Sequence, residues 1–317
     1  MSSLQPLVHA SHLTVGYDTA AGRVLAVDDV TLSIFRGETL GLVGESGCGK
    51  SSLGRALLQL LPIEKGLVTF DGVALGALTR RTLRALRPKM QPVFQDPIAA
   101  LDPRMSVGET LGEALAVRGP LSRADRARQI DALLDTIGLP PDSAGRRPHA
   151  FSAGQRQRIC IARALAVEPD FLVLDEPVSA LDVSVQAQIV NLLVDLQRTR
   201  SLTYLFISHD LGVVAHLATR VAVMYAGRIV ELGPTQAVLT RPMHPYTRAL
   251  IASLPARSPE DRGRRVPVPG EPPSPLRRPP GCAFHPRCPL AVDACRVSVP
   301  ALQQVGPEQL AACPIAR

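Results

Sequence analysis

Residues 44 to 51 read Gly44-Glu45-Ser46-Gly47-Cys48-Gly49-Lys50-Ser51, a complete G-x-x-x-x-G-K-[ST] segment. It lies between the apolar run Leu40-Gly41-Leu42-Val43 and a helix-like stretch from Ser52 to Leu61. Strand, glycine-rich turn and helix in that order make a phosphate cradle. Glycines let backbone N–H groups converge on phosphate oxygens, and the helix start adds partial positive charge. Lys50 is placed to neutralise β- and γ-phosphates and the Ser51 hydroxyl to ligate Mg²⁺, with Ser52 next on the same helix. A dinucleotide-binding G-x-G-x-x-G fingerprint does not fit, because Lys50 and Ser51 follow Gly49 where that pattern requires another glycine.

A phosphate loop needs a core to stand on, and 317 residues with 46% hydrophobic content supply one. Apolar runs such as Phe171-Leu172-Val173-Leu174 stop at a charge, far short of the ~20 residues that cross a bilayer. Any membrane role is therefore expected to act through a partner. Met1 to Pro6 lacks a charged start followed by an apolar stretch, so no secretory signal is expected. The net charge of +7 comes from scattered arginines, and 3% aromatic content leaves little with which to stack bases. Nucleic acid is not expected as a partner.

Residues 7 to 35 alternate apolar and polar positions, the pattern of a half-buried antiparallel β-layer. From Gly108 to Gly138 the period becomes helical, with Ile130, Leu133, Leu134 and Ile137 on one stripe and Gly138 as the stop. Farther on, Phe171 to Asp175 and Leu202 to Ser208 read as buried strands. Between them a helix presents Val185, Ile189, Leu192, Leu193 and Leu196 on one face. Parallel α/β architecture follows. From Arg257 to Gly281 the chain is rich in proline and arginine, including Pro267, Pro269, Pro272, Pro273, Pro275, Pro279 and Pro280, which predicts a stiff strap. No internal repeat is visible, so a second nucleotide site must come from another chain.

At the end of the strand 171 to 175, Asp175 can hold Mg²⁺ and Glu176 can activate a water for attack on a γ-phosphate. Taken alone, an Asp-Glu pair is equally a solvated strand end. It is not alone: Phe151-Ser152-Ala153-Gly154-Gln155, Ser179-Ala180-Leu181-Asp182 and Ile207-Ser208-His209 accompany it, and Gln95 follows a short strand. This order and spacing resemble the ATP-binding cassette (ABC) ATPases over about residues 5 to 235.

The resemblance implies a RecA-like P-loop α/β core with an N-terminal antiparallel β-layer and an inserted α-helical subdomain at about 97–165. The ABC nucleotide-binding domain would span 1–240, a Pro-rich strap 241–281 and a small Cys-containing extension 282–317. It assigns Tyr17 to adenine stacking, Gly44 to Ser52 to the phosphates, and Ser51, Gln95 and Asp175 to Mg²⁺. Glu176, His209 and Gln95 become the catalytic set. Ser152, Ala153, Gly154 and Gln155 form the signature, which in this family caps the ATP of the opposite subunit. Ala153 departs from the glycine usual at its position.

Pro177 to Gln188, the His244-Pro245-Tyr246 segment and Cys282-Ala283-Phe284-His285-Pro286-Arg287-Cys288-Pro289 resemble the oligopeptide/dipeptide importer subfamily. That resemblance implies a second cassette subunit, identical or homologous, two membrane permeases, and indirectly an extracytoplasmic substrate-binding protein. The chain would sit at the cytoplasmic face of the membrane and hydrolyse ATP to drive peptide import. Nickel, glutathione or sugar cargo and, in another class, a cassette ATPase acting on nucleic acid are the alternatives. Pro245 fixes the backbone beside His244, which points to packing rather than catalysis. Cys282, Cys288, Cys295 and Cys313 lack the paired C-x2-C spacing of a zinc ribbon. Subfamily members with a [4Fe-4S] cluster make that group the expectation, with Zn²⁺ or four free thiols as alternatives.

Overall fold

A computed structural model describes residues 5–253 and 270–316. Strands and helices follow in chain order as β1 (Val8–Thr19), β2 (Gly22–Ile34), β3 (Thr39–Val43), α1 (Lys50–Leu57), β4 (Lys65–Phe70) and β5 (Val73–Ala74). Next come α2 (Arg80–Leu86), β6 (Met90–Val93), α3 (Pro97–Ala100), α4 (Val107–Ala116), α5 (Arg123–Thr136), α6 (Ala153–Leu165), β7 (Phe171–Asp175) and α7 (Val183–Arg200). The remainder is β8 (Thr203–Ser208), α8 (Leu211–Leu217), β9 (Arg220–Tyr225), β10 (Arg228–Pro234), α9 (Thr235–Thr240), α10 (Pro245–Ala252), α11 (Asp293–Val297), β11 (Gln303–Gly306) and β12 (Gln309–Ala311). The chain divides into two compact units, Met1–Ala77 with Phe206–Arg317, and Leu78–Leu205.

In the first unit β1 and β2 form an antiparallel hairpin, and β1 also pairs with β4, giving the sheet order β2-β1-β4-β5. Val8, Ala10, Leu13 and Val15 on β1 and Val27, Val30, Leu32 and Ile34 on β2 are buried, as the alternation predicts. Bulges keep that apolar set on one face, with His12 and Asp29 in the left-handed region at φ 48° and 56°. The second sheet of this unit pairs β3 parallel to β9, both almost wholly buried, and continues antiparallel through β10, β12 and β11. Through Glu231↔Ala311 and Leu232↔Leu310, the C-terminal residues extend this sheet beyond β10. Helix α1 starts at Lys50 and ends at Leu57, short of the expected Leu61, because Gln59 takes a left-handed φ of 54°.

In the second unit β6 runs parallel to β7, from Met90↔Phe171 to Val93↔Leu174. The helical insert expected between Gly108 and Gly138 is made of two helices, α4 and α5, with Gly119 at φ 131° and Pro120 between them. Ile130, Leu133, Leu134 and Ile137 are buried as one stripe, and Gly138 at φ 67° ends it. On α7, Ile189, Leu193 and Leu196 are buried while Val185 and Leu192 are half-buried. Residues 270–281 hold turns but no helix or strand; Pro267 and Pro269 of the expected strap lie outside the described residues. Among the described residues no helix is long and apolar enough to cross a membrane.

Candidate nucleotide site

The phosphate loop leaves β3 at Val43 and enters α1 at Lys50. Gly47 and Gly49 adopt φ 77° and 107°, and a Cβ on Gly49 would run into the carbonyl oxygen of Ala26. Only glycine fits there without movement. Lys50 is 5% exposed, and its Nζ donates to the carbonyl oxygens of Gly44 at 2.8 Å and Glu45 at 3.0 Å. A buried ammonium held by carbonyl dipoles gains from an incoming polyanion, so the loop fits a triphosphate. Gly49 caps α1 with no side-chain hydrogen bond, and a helix start is a place where backbone amides and the helix dipole favour an anion. The Tyr17 and Ser52 hydroxyls are 2.7 Å apart, holding a ring that is still 40% exposed beside this helix start. An exposed ring face so placed suits base stacking.

Glu45 is tied at each of its polar groups. Its N–H donates to the Tyr246 hydroxyl at 2.8 Å, its carbonyl accepts from Lys50, and its carboxylate accepts two N–H bonds from Arg287 at 2.8 and 2.9 Å. Arg287 also donates to the Tyr225 hydroxyl at 3.2 Å. Tyr225, Tyr246 and Phe284 form one aromatic cluster with centroids 4.5 to 5.4 Å apart. His244 caps α10, accepting from the Tyr246 N–H at 3.1 Å. Burial lowers its pKa to about 4, which keeps the imidazole neutral and able to accept. Its ring packs 5.9 Å from Phe284, the structural place expected of it. Nothing local in the sequence points to a role for Arg287 or Tyr246 at the phosphate loop. The segments carrying them were noticed for their cysteines and their proline, and nothing local announces a partner 242 residues away.

In the second unit Asp175 is buried at the end of β7, and Glu176 follows with a left-handed φ of 47°. A glutamate in that region is strained, as is common at functional sites. Gln95 Nε2 donates to Glu176 Oε2 at 3.0 Å, so the glutamine after β6 and the glutamate after β7 are brought together. The Ser179 hydroxyl donates to the Glu176 carbonyl at 3.1 Å, and Asp182 caps α7 by accepting from the Val185 N–H at 3.0 Å. Hydrogen bonds from Ser184 and then Val185 hold the Asp182 carboxyl below the usual range. Ser152 opens α6 with a capping box: its hydroxyl accepts from the Gln155 N–H, while its own N–H donates to the Gln155 side chain at 3.0 Å. Ala153 is the first helical residue, and a Cβ on Gly154 would strike Val185 of α7. His209 belongs to the first unit, exposed just after β8.

The metal expectation for the C-terminal cysteines finds no support among the described residues. Cys282 lies close enough to Cys295, Cys313 and Cys288 to feel their charge, and its N–H donates to the Cys295 carbonyl at 2.8 Å. Yet among the described residues no group of three or more His, Cys, Asp or Glu side chains converges to hold a metal ion. Burial raises the pKa of Cys282, Cys288 and Cys313. This grouping gives no support to [4Fe-4S] or Zn²⁺ over four free thiols. The residues that the resemblance assigns to Mg²⁺, Ser51 in the first unit and Gln95 and Asp175 in the second, each carry a hard oxygen of the kind that ion prefers.

The profile of the ABC transporter family matches residues 27–179, and that of the oligopeptide/dipeptide transporter C-terminal region matches 230–295. A Brucella ovis protein that carries the name peptide import ATP-binding protein is 49% identical over 308 residues, covering 97% of each chain. An oligopeptide transport ATP-binding protein by name, from Bacillus subtilis, is 48% identical over 98% of this chain and 96% of its own. Among solved structures, a dimeric ATP-binding cassette in a post-hydrolysis state with ADP and Pi superposes with TM-score 0.67 at 28% identity. That match covers 72% of this chain and 98% of the cassette. A Clostridium perfringens component of an ABC transporter complex gives TM-score 0.66 at 28% identity over 74% of this chain and 91% of its own.

Proposed function

The chain belongs to the ABC transporter ATPases, in their oligopeptide/dipeptide branch, and from that premise we propose that it hydrolyses ATP to drive peptide import through membrane permeases. The cassette would pair with a second one and sit peripherally at the cytoplasmic face of the membrane. Gly44 to Ser52 and Lys50 bind the triphosphate, and Tyr17 stacks on the adenine. Ser51, Gln95 and Asp175 would hold Mg²⁺, which supplies positive charge to the β- and γ-phosphates when bound. Glu176 takes a proton from the attacking water as its oxygen bonds the γ-phosphorus; the bond to the β–γ bridging oxygen breaks, and ADP leaves with that electron pair. His209 donates to the γ-phosphate, and Ser152 to Gln155 complete the partner's site.

The observation that carries this reading is the 3.0 Å hydrogen bond from Gln95 to Glu176, which orients the base and ties it to the segment between β6 and the helical insert. Glu176→Gln preserves an acceptor for Gln95 but removes the basic carboxylate. Turnover is expected to fall about 100-fold or more while MgATP still binds, as measured by phosphate release and equilibrium binding. Hydrolysis within about tenfold of wild type would assign the base elsewhere.

A further inference from the structure

The phosphate loop and the cysteine-bearing extension meet at an ion pair. Glu45 is the one acid in Gly44 to Ser51, so the loop that must accept a triphosphate carries its own carboxylate. Arg287, from the turn His285–Arg287, engages both oxygens of that carboxylate in a fork at 2.8 and 2.9 Å. The pair is largely out of water, with the Arg287 side chain 6% and the Glu45 side chain 22% exposed. The guanidinium also lies 5.8 and 5.9 Å from the ring centres of Tyr225 and Phe284. Weak screening in such surroundings lets an uncompensated carboxylate repel phosphate strongly. The same residue supplies a carbonyl to Lys50 and an N–H to Tyr246, so a shift at Glu45 moves the frame on which the cradle is built.

We propose that Arg287 is a positioning residue for ATP: it neutralises Glu45 and fixes it, so that the C-terminal extension sets the affinity of the phosphate loop. This rests on the reading of that loop as an ATP site. Hydrogen bonding to Glu45 is the largest cause of the raised pKa of Arg287 and outweighs the burial that lowers it. The extension is thereby part of the nucleotide machinery even though it contributes no phosphate ligand.

The test is MgATP binding to the full chain, with KM and kcat of the assembled ATPase, across Arg287→Met, Arg287→Lys and the double variant Glu45→Gln/Arg287→Met. Arg287→Met is expected to raise Kd and KM about tenfold or more, a loss recovered at saturating ATP. Arg287→Lys keeps the charge but not the fork, and is expected to weaken binding about threefold. The double variant removes the stranded carboxylate and should bind within about threefold of wild type, a rescue that a merely structural anchor would not show. Arg287→Met at wild-type Kd, or a double variant as weak as the single, overturns the proposal. Should Arg287→Met fail to fold, Arg287→Lys at wild-type Kd overturns it equally. Failure of the ATP reading looks different, since the wild-type chain itself would then bind no MgATP.

Discussion

The starts of α1 and α6 are both helix N-termini that the family resemblance assigns to phosphate, and they are built in opposite ways. At α1 the cap is Gly49 at φ 107° with no side-chain hydrogen bond, and Lys50 is buried directly behind it. At α6 the cap is Ser152 in extended backbone, its hydroxyl and N–H closed in a reciprocal box with Gln155. The first has no side chain over its amides; the second satisfies two of its own internally and keeps the serine proton to donate. Their glycines differ as well. Gly49 is required by its φ and by the Ala26 carbonyl, whereas Gly154 is required by the close approach of α7 at Val185. One helix start is shaped for a ligand held within the chain, the other is a finished structural element with a polar tip.

The sharpest way to break that contrast is Gly49→Ala. A methyl group there meets the Ala26 oxygen and demands a φ that alanine avoids, so several kcal/mol of strain and loss of measurable MgATP binding are expected. Gly47→Ala is the control, because its φ of 77° is equally left-handed but nothing lies within 4 Å of the added carbon. It is expected to cost about 1–2 kcal/mol in thermal or denaturant unfolding and to weaken MgATP binding less than Gly49→Ala does. Equal losses at both positions would mean that the backbone angle, not the cradle's tight wall, decides.

Ser152→Ala probes the other side with a smaller effect. Losing a cap is expected to cost about 1 kcal/mol of stability, and Ser152→Thr should restore most of it. If Ser152 only caps, hydrolysis by the assembled ATPase will track the stability loss. A drop of about tenfold at temperatures where both variants are fully folded would show that its hydroxyl also meets phosphate.

What could be read from the sequence was local. The spacing from Gly44 to Ser51, the alternation in residues 7 to 35 and the acidic end of β7 each depend on neighbours a few residues apart, and each appears where it was read. Strands β4 and β5 were missed because Leu67 and Val73 are exposed and only Val68 and Phe70 face the core, which erases the alternation. The division of the helical insert is also local, since Gly119 and Pro120 stand together between α4 and α5. Arg287 was out of reach for a different reason: its role depends on folding 242 residues of chain back onto Glu45, and four nearby cysteines offered a more familiar chemistry.

The finest test of the contrast is Ala153→Gly. In the ABC resemblance this position is usually glycine, which would let a phosphate approach the backbone of α6 without a Cβ in the way. The structure places Ala153 as the first residue of α6, half-buried, and it is absent from the described residues of positive φ, so the backbone does not use glycine's freedom. Restoring glycine would therefore relieve nothing within the fold. It removes a helix-favouring methyl and should lower stability by under about 1 kcal/mol. If the capped start of α6 meets its ligand through the serine tip, ATP hydrolysis by the assembled pair should stay within about twofold of wild type. A rise of about tenfold would instead mean that the alanine methyl holds phosphate away from the helix amides, and that α6, like α1, works through its bare backbone.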